Sequence, residues 1–304
     1  MSDNKMYCKK RNAIALLITL FFVISITAAV SISLSQYQKG GEALNKSRFL
    51  VQSSTIMEDV LGMLQTMQEV KEIKDAQSLW VFLQGNTVLP IDAEGVQVLI
   101  DITSAHGKLN INELSSSETL QNLLSEYLLR YNVQDIAYLN ALLLDCMRSQ
   151  QPIYATQIID TMPWMYHDRI ANAEHLKQIL AFYTQTRHDN SVQNVPWEKL
   201  FRFAENGSSE IDMNYATADL WQLMIPELKE EKAVLLTQNT EPYENEESID
   251  LDLETQQTLA EFGVGYYTPV LNVDISIAKG DLEARIILEY AIDTKEVKVL
   301  TYAI

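Results

Sequence analysis

The residues with chemical potential in this sequence are concentrated in one short acidic run. Residues 241–254, EPYENEESIDLDLE, hold Glu241, Glu244, Glu246, Glu247, Asp250, Asp252 and Glu254 with no basic residue among them. A hard cation such as calcium takes six to eight oxygen ligands and tolerates irregular loops. Glu244, Glu246, Glu247, Asp250 and Asp252 are therefore the candidate calcium ligands, although their spacing is not that of an EF-hand. The same run also reads as a solvated loop ahead of a helix near 251–261, where the helix N-terminus favours negative charge.

Other chemistries find little support. His106, His167, His175 and His188 show no HExxH or other close metal-ligand spacing. There is no G-x-S-x-G, no P-loop and no G-x-G-x-x-G, and the two glycines of FGVGYY (Phe262–Tyr267) read as a turn into a β segment. Cys8 and Cys146 cannot build a disulfide scaffold. Cys146 shares a helix face with Leu142 and Leu143, which reads as a buried thiol. No catalytic residue is expected.

Charge decides what surrounds the acidic run. The chain has 304 residues, 47% hydrophobic, with a net charge of −18. Residues 1–11 carry +3, through Lys5, Lys9, Lys10 and Arg11 against Asp3, and the remaining 293 carry −21. Between Arg11 and Lys39 there is no Asp, Glu, Lys, Arg or His. The 22 residues from Ala13 to Leu34, AIALLITLFFVISITAAVSISL, would span roughly 33 Å as a helix, enough to cross a bilayer's hydrocarbon layer. Ile14, Leu17, Ile18, Phe21, Phe22 and Ile24 belong to this expected membrane anchor, which contacts membrane lipid. The preceding Lys9-Lys10-Arg11 keeps that end cytoplasmic by the positive-inside rule. The acidic body then lies outside the cytoplasm. A cleaved secretory signal with a site at Ala28-Ala29 is the competing reading, but the apolar run continues past it. Residues 115–261 hold 24 acidic and 9 basic side chains, so nucleic acid is not an expected partner.

The elements that position these groups follow from periodicity. Apolar residues Leu44, Phe49, Val51, Ile56, Val60, Leu64 and Met67 continue a helical pattern beyond Gly40-Gly41. Val96, Val98, Ile100 and Ile102 alternate as a half-buried strand, and Lys108–Asn112 predicts a short second one. At the far end Leu271–Ile277, Leu282–Tyr290 and Val297–Thr301 alternate, separated by turns at 279–281 and 293–295, which predicts a three-stranded antiparallel meander. The stretch 115–261 carries helical runs at 118–131, 134–148, 155–162, 173–185, 215–225 and 227–238. The fold class expected is α+β: a long N-terminal helix and an antiparallel sheet domain interrupted by a large all-α insert. Two sequential domains would leave the strand near 96–102 as an orphan hairpin.

A basic leader, a small residue and an apolar helix running on into an amphipathic one resemble the N-terminus of type IV pilins and pseudopilins. The matching junction is Ala13/Ile14, in KKRNA-IALLITL, where Ala13 stands in place of the family's usual Gly. The resemblance implies that a prepilin peptidase removes residues 1–13, Cys8 included, and that Ile14 becomes a methylated N-terminus. Ile18, fifth from Ile14, stands where most pilins carry Glu; the K-type minor pseudopilins of type II secretion share that absence. Further likeness to that type is carried by GKLNINEL at Gly107–Leu114, NAEHLKQIL at Asn172–Leu180 and IDMNYATADLWQLMIPEL at Ile211–Leu228.

What this resemblance implies can be set out by segment: a leader at 1–13, a transmembrane and amphipathic helix at 14–74, a pilin-like α/β domain at 75–114 and 262–304, and an inserted helical domain at 115–261. It implies a minor pseudopilin capping the tip of a pseudopilus that exports proteins across the outer membrane. Its partners would be other minor pseudopilins, the inner-membrane assembly platform and the prepilin peptidase. It also implies calcium in the helical part. The readings that compete with it are a membrane-anchored periplasmic metal-dependent hydrolase, an adhesin or sensor module, and a minor pilin of a related type IV pilus or DNA-uptake system.

Overall fold

The computed structural model describes residues 44–85, 88–93, 95–147, 154–204, 211–261 and 264–303. The expected leader and anchor, with Ala13, Ile14, Leu17, Ile18, Phe21, Phe22 and Ile24, lie outside them. Among the described residues no helix is long and apolar enough to cross a membrane. The chain divides into two compact units at Asp59/Val60. In the first, residues 44–59 are helical, and residues 60–66 of the second are helical as well. The division leaves sheet and helical part together in the second unit, described from here on.

Its sheet has five strands: β1 (Val88–Ala93), β2 (Val96–Ser104), β5 (Val270–Lys279), β6 (Leu282–Ala291) and β7 (Val297–Ala303), in the order β1-β2-β5-β6-β7 with every pair antiparallel. The predicted meander is present as β5–β6–β7. Gly280, at φ +59°, supplies the left-handed residue of its first hairpin, and Lys295 takes φ 58° in the second. Period-two patterning fixes which face is inside. Val98, Ile100 and Ile102 of β2, Val273, Ile275 and Ile277 of β5, and Ile286, Leu288 and Tyr290 of β6 are all buried.

The register pairs Ile100 with Ile275 and Ile275 with Ile286, so buried residues meet side by side across three strands. Pairing of β2 with β5 also means that β2 is no orphan hairpin. Everything between Ser104 and Val270 is an excursion from one sheet. The helix Ala76–Gly85, with Leu79, Trp80, Phe82 and Leu83 buried, lies against β2.

Two details depart from expectation. β1 is not among the predicted strands; it contains Pro90, and it lies at the sheet edge, where a proline is tolerated. The predicted strand Lys108–Asn112 is only β3 (Leu109–Asn110), and it pairs in parallel with β4 (Phe201–Arg202) instead of joining the main sheet. The chain then tightens into a 3-10 turn over Ile111–Ser115.

The helical part is built from short helices, chiefly Glu118–Leu129, Ile136–Asp145, Ala173–Arg187, Ala218–Met224, Glu230–Leu236 and Leu253–Glu261. The run expected over 155–162 contracts to Ile158–Thr161, stopped before Pro163. N-caps explain most starts: Ser117 Oγ, Asp135 Oδ1, Asn172 Oδ1 and Thr217 Oγ1 each accept a backbone N–H of the first turn. These helices enclose one continuous apolar core running from Leu109 to Leu259, with Trp221, Tyr127, Tyr183 and Phe201 among its fully buried side chains.

Candidate functional site

Two of the segments singled out by motif, Gly107–Leu114 and Ile211–Leu228, meet where the helical part leaves and re-enters the sheet. Two buried asparagines clamp distant backbone there. Asn112 Oδ1 accepts the Ile170 N–H at 2.8 Å, while its amide donates to the carbonyls of Ile170 (3.2 Å) and Ala204 (3.0 Å). Asn214 repeats the device: its oxygen accepts the Tyr243 N–H at 2.6 Å, and its amide donates to Tyr266 O (2.7 Å) and Tyr243 O (3.1 Å). An amide carries donor and acceptor on one planar group, which neither Leu nor an ionised Asp can supply. Asn110 supports the first clamp, its Oδ1 accepting from Asn112 N and Ala204 N, both at 3.3 Å.

Between the clamps, three stretches of backbone are tied together around Asp212. Its N–H donates to His106 O at 2.9 Å, and Gly265 N–H and Met213 N–H complete a two-rung ladder between residues 211–213 and Gly265. Its carboxylate accepts the N–H groups of Asn214 (3.1 Å) and Thr268 (3.0 Å) and is fully buried. Burial pushes its pKa up to about 6 against the pull of these hydrogen bonds. Gly107 is needed for a steric reason: a Cβ there would lie 2.5 Å from Tyr215 O. Further along the same motif Asp219 accepts from Tyr127 OH at 3.0 Å and pairs with Lys199 at 3.2 Å.

The NAEHLKQIL motif caps a helix. Asn172 Oδ1 accepts from His175 N, and His175 Nδ1 accepts from Ala171 N at 3.2 Å. Burial lowers the His175 pKa, so the ring stays neutral. His167 sits edge-on to Tyr154, and His188 closes the helix Ala173–Arg187 in the left-handed conformation. Cys146 is buried 3.8 Å from the Met165 sulfur, and burial raises its thiol pKa to about 12, which leaves it unreactive.

The acidic run is placed as a capped loop. Asn245 and Ser248 form a capping box around the turn Glu246–Ser248, with the Glu244 N–H donating to Ser248 Oγ at 3.2 Å. Asp250, almost wholly exposed, pairs with Lys232, which lowers its pKa. Asp252 Oδ1 accepts from Thr255 N at 2.9 Å and starts the helix Leu253–Glu261. Of the five candidate ligands, Asp250 and Asp252 thus have side-chain partners of their own, Lys232 and Thr255. Among the described residues no group of three His, Cys, Asp or Glu side chains converges as a metal site.

Comparison with known proteins sets this geometry in context. No family model matches the chain. No curated protein matches it either. The fold is similar to that of a chain in the crystal structure of the GspK-GspI-GspJ complex from the enterotoxigenic Escherichia coli type 2 secretion system. The TM-score is 0.60 at 14% identity, over 87% of this chain and 98% of that chain. The resemblance to a K-type minor pseudopilin, drawn first from short motifs in a fixed order, is thus borne out at the level of the fold.

Proposed function

We propose that this chain is a minor pseudopilin of the K type, capping the tip of a type II secretion pseudopilus and acting through assembly, with no catalytic role. The observation that carries this reading is the fold likeness over nearly the whole of a chain from a minor-pseudopilin complex. The N-terminal sequence supports it independently, since a +3 leader precedes an uncharged apolar stretch that suits both a bilayer and a helical bundle. In this reading the body lies in the periplasm of a cell with two membranes, and the anchor passes from inner-membrane lipid into the fibre through the assembly platform. The helical part adds bulk above the sheet and leaves no seat for a further subunit. Ile18 fits a terminal position, because a carboxylate buried in lipid needs a partner such as a neighbour's amino terminus. Calcium is proposed for the helical part without assigned ligands.

Processing of the native protein tests this. Mass spectrometry of the chain purified from membranes should find it starting at Ile14 with a methylated amine. An intact Met1, or a start after Ala29, would overturn the reading.

A further inference from the structure

The clasp around Asp212 has a property that its role as a brace does not require. Its carboxylate has zero exposure and accepts two backbone N–H groups, yet among the described residues no cation is paired with it. Buried carboxylates are ordinarily matched by a positive group, because removing an unpaired charge from water is strongly unfavourable. This one lies at the joint where three stretches meet: the exit from β2 (through His106 O), the turn Met213–Tyr215, and the return to β5 (through Gly265 and Thr268). Ionisation there loads the connection between helical part and sheet, and protonation unloads it.

We propose that Asp212 is a proton-sensitive latch which holds the helical part to the sheet more firmly in mild acid than at neutral or alkaline pH. Titratable residues on the segments packed around it are His106 at the β2 exit, Tyr215 in its own turn, and Tyr266 and Tyr267 on the return. Burial raises all three phenols, so they stay neutral across the relevant range. His106, which carries an imidazole and whose carbonyl accepts the Asp212 N–H, needs its own control. The sign is fixed by linkage. A carboxyl whose folded pKa is raised binds more protons folded than unfolded, so its contribution is full below pH 4 and is lost as pH rises through about 6. The inference rests on the fold of the second unit and not on the secretion reading.

Urea unfolding of the full-length chain in detergent, followed by tryptophan fluorescence from pH 4.5 to 7.5, tests the latch. Other carboxylates add their own slopes, so the readout is wild type compared with Asp212→Asn, with His106→Gln as the control. The Asp212 contribution should raise the unfolding constant by about 25-fold between those pH values. Asp212→Asn should lack this component and His106→Gln should retain it. Identical pH profiles in wild type and Asp212→Asn would overturn the proposal, as would loss of the component in His106→Gln alone. Because Asp212→Asn turns an amide toward backbone N–H groups and can fail to fold, wild-type hydrogen exchange serves as the second measurement. After correction for intrinsic rates, Asn214 and Thr268 amides should be better protected at pH 4.5 than at 7.5; equal or weaker protection at pH 4.5 sinks the latch.

Discussion

Replacing Asn112 gives the most exacting check on the physical account of the fold. Its side chain makes three hydrogen bonds to main chain 58 and 92 residues away, at 2.8, 3.2 and 3.0 Å. Ile170 and Ala204 are themselves buried, so water cannot replace the lost partner. Asn112→Ala leaves one N–H and two carbonyls unsatisfied; at roughly 1–1.5 kcal/mol each, the loss is about 3–5 kcal/mol. Against a typical domain stability of about 5–15 kcal/mol this is a large fraction. It should lower the melting temperature by roughly 10 °C in a unit of this size.

Asn112→Asp sharpens the test. The acid keeps the acceptor for Ile170 N but sets a charged oxygen against two carbonyls, so at pH 7 it should be less stable than Asn112→Ala. Its pKa must then be raised in the folded state, and protonation supplies a donor to one of those carbonyls. Stability should therefore recover as pH falls toward 4 and fade again as it rises. Urea unfolding of both variants at pH 4.5 and 7 provides the assay. A loss under about 1 kcal/mol for Asn112→Ala, or wild-type stability of Asn112→Asp at pH 7, would refute the clamp.

Two further changes probe separate contacts. Gly107→Ala forces a Cβ against the Tyr215 carbonyl, a backbone atom that cannot rotate away, and should destabilise by about 1–3 kcal/mol in thermal melts. Asp189 is buried and, although burial alone would raise its pKa, the groups of Ser191, Gln134 and Tyr183 that donate to it hold it down to about 2. Its contribution is present above about pH 4 and lost as pH falls toward 2. Asp189→Ala, which orphans those donors, should lose about 2–4 kcal/mol at pH 7 and show a flatter acid limb in the same melts.

The parts of this fold that were legible in advance are those governed by short-range periodicity. Strict alternation in β2, β5 and β6 gave both the strands and their buried faces, and the turn residues near Gly280 and Lys295 gave the meander. Helix positions followed from the runs at 118–131 and 173–185, and Ser117 and Asn172 cap the two helices found there. Pairings decided by tertiary contact could not be read. β1 contains a proline that only an edge position tolerates, and the two-residue β3–β4 pair joins segments 92 residues apart. The motifs NIN and MNY could be located by resemblance, but nothing in their spacing says that Asn112 and Asn214 are buried clamps. In the acidic run, local contacts could not be read from composition: the Glu244 N–H donates to Ser248 Oγ, Asp250 pairs with Lys232, and Asp252 accepts from Thr255. Asp212, fully buried, is the more unusual acid.

The arrangement also explains why an excursion of over 160 residues can leave one sheet without disrupting it. The β2–β5 ladder closes beneath it, and the clasp around Asp212, with Gly107 tight against Tyr215, fixes the exit and return side by side.

Assembly with other minor pseudopilins tests the central claim most directly. The full-length chain should be co-expressed with the two small minor pseudopilins of the same cell's secretion system, solubilised, and sized by light scattering. The account predicts a complex containing one copy of each subunit, stable through size exclusion at micromolar concentration. Elution of the chain by itself, with the two partners in other fractions, would contradict it.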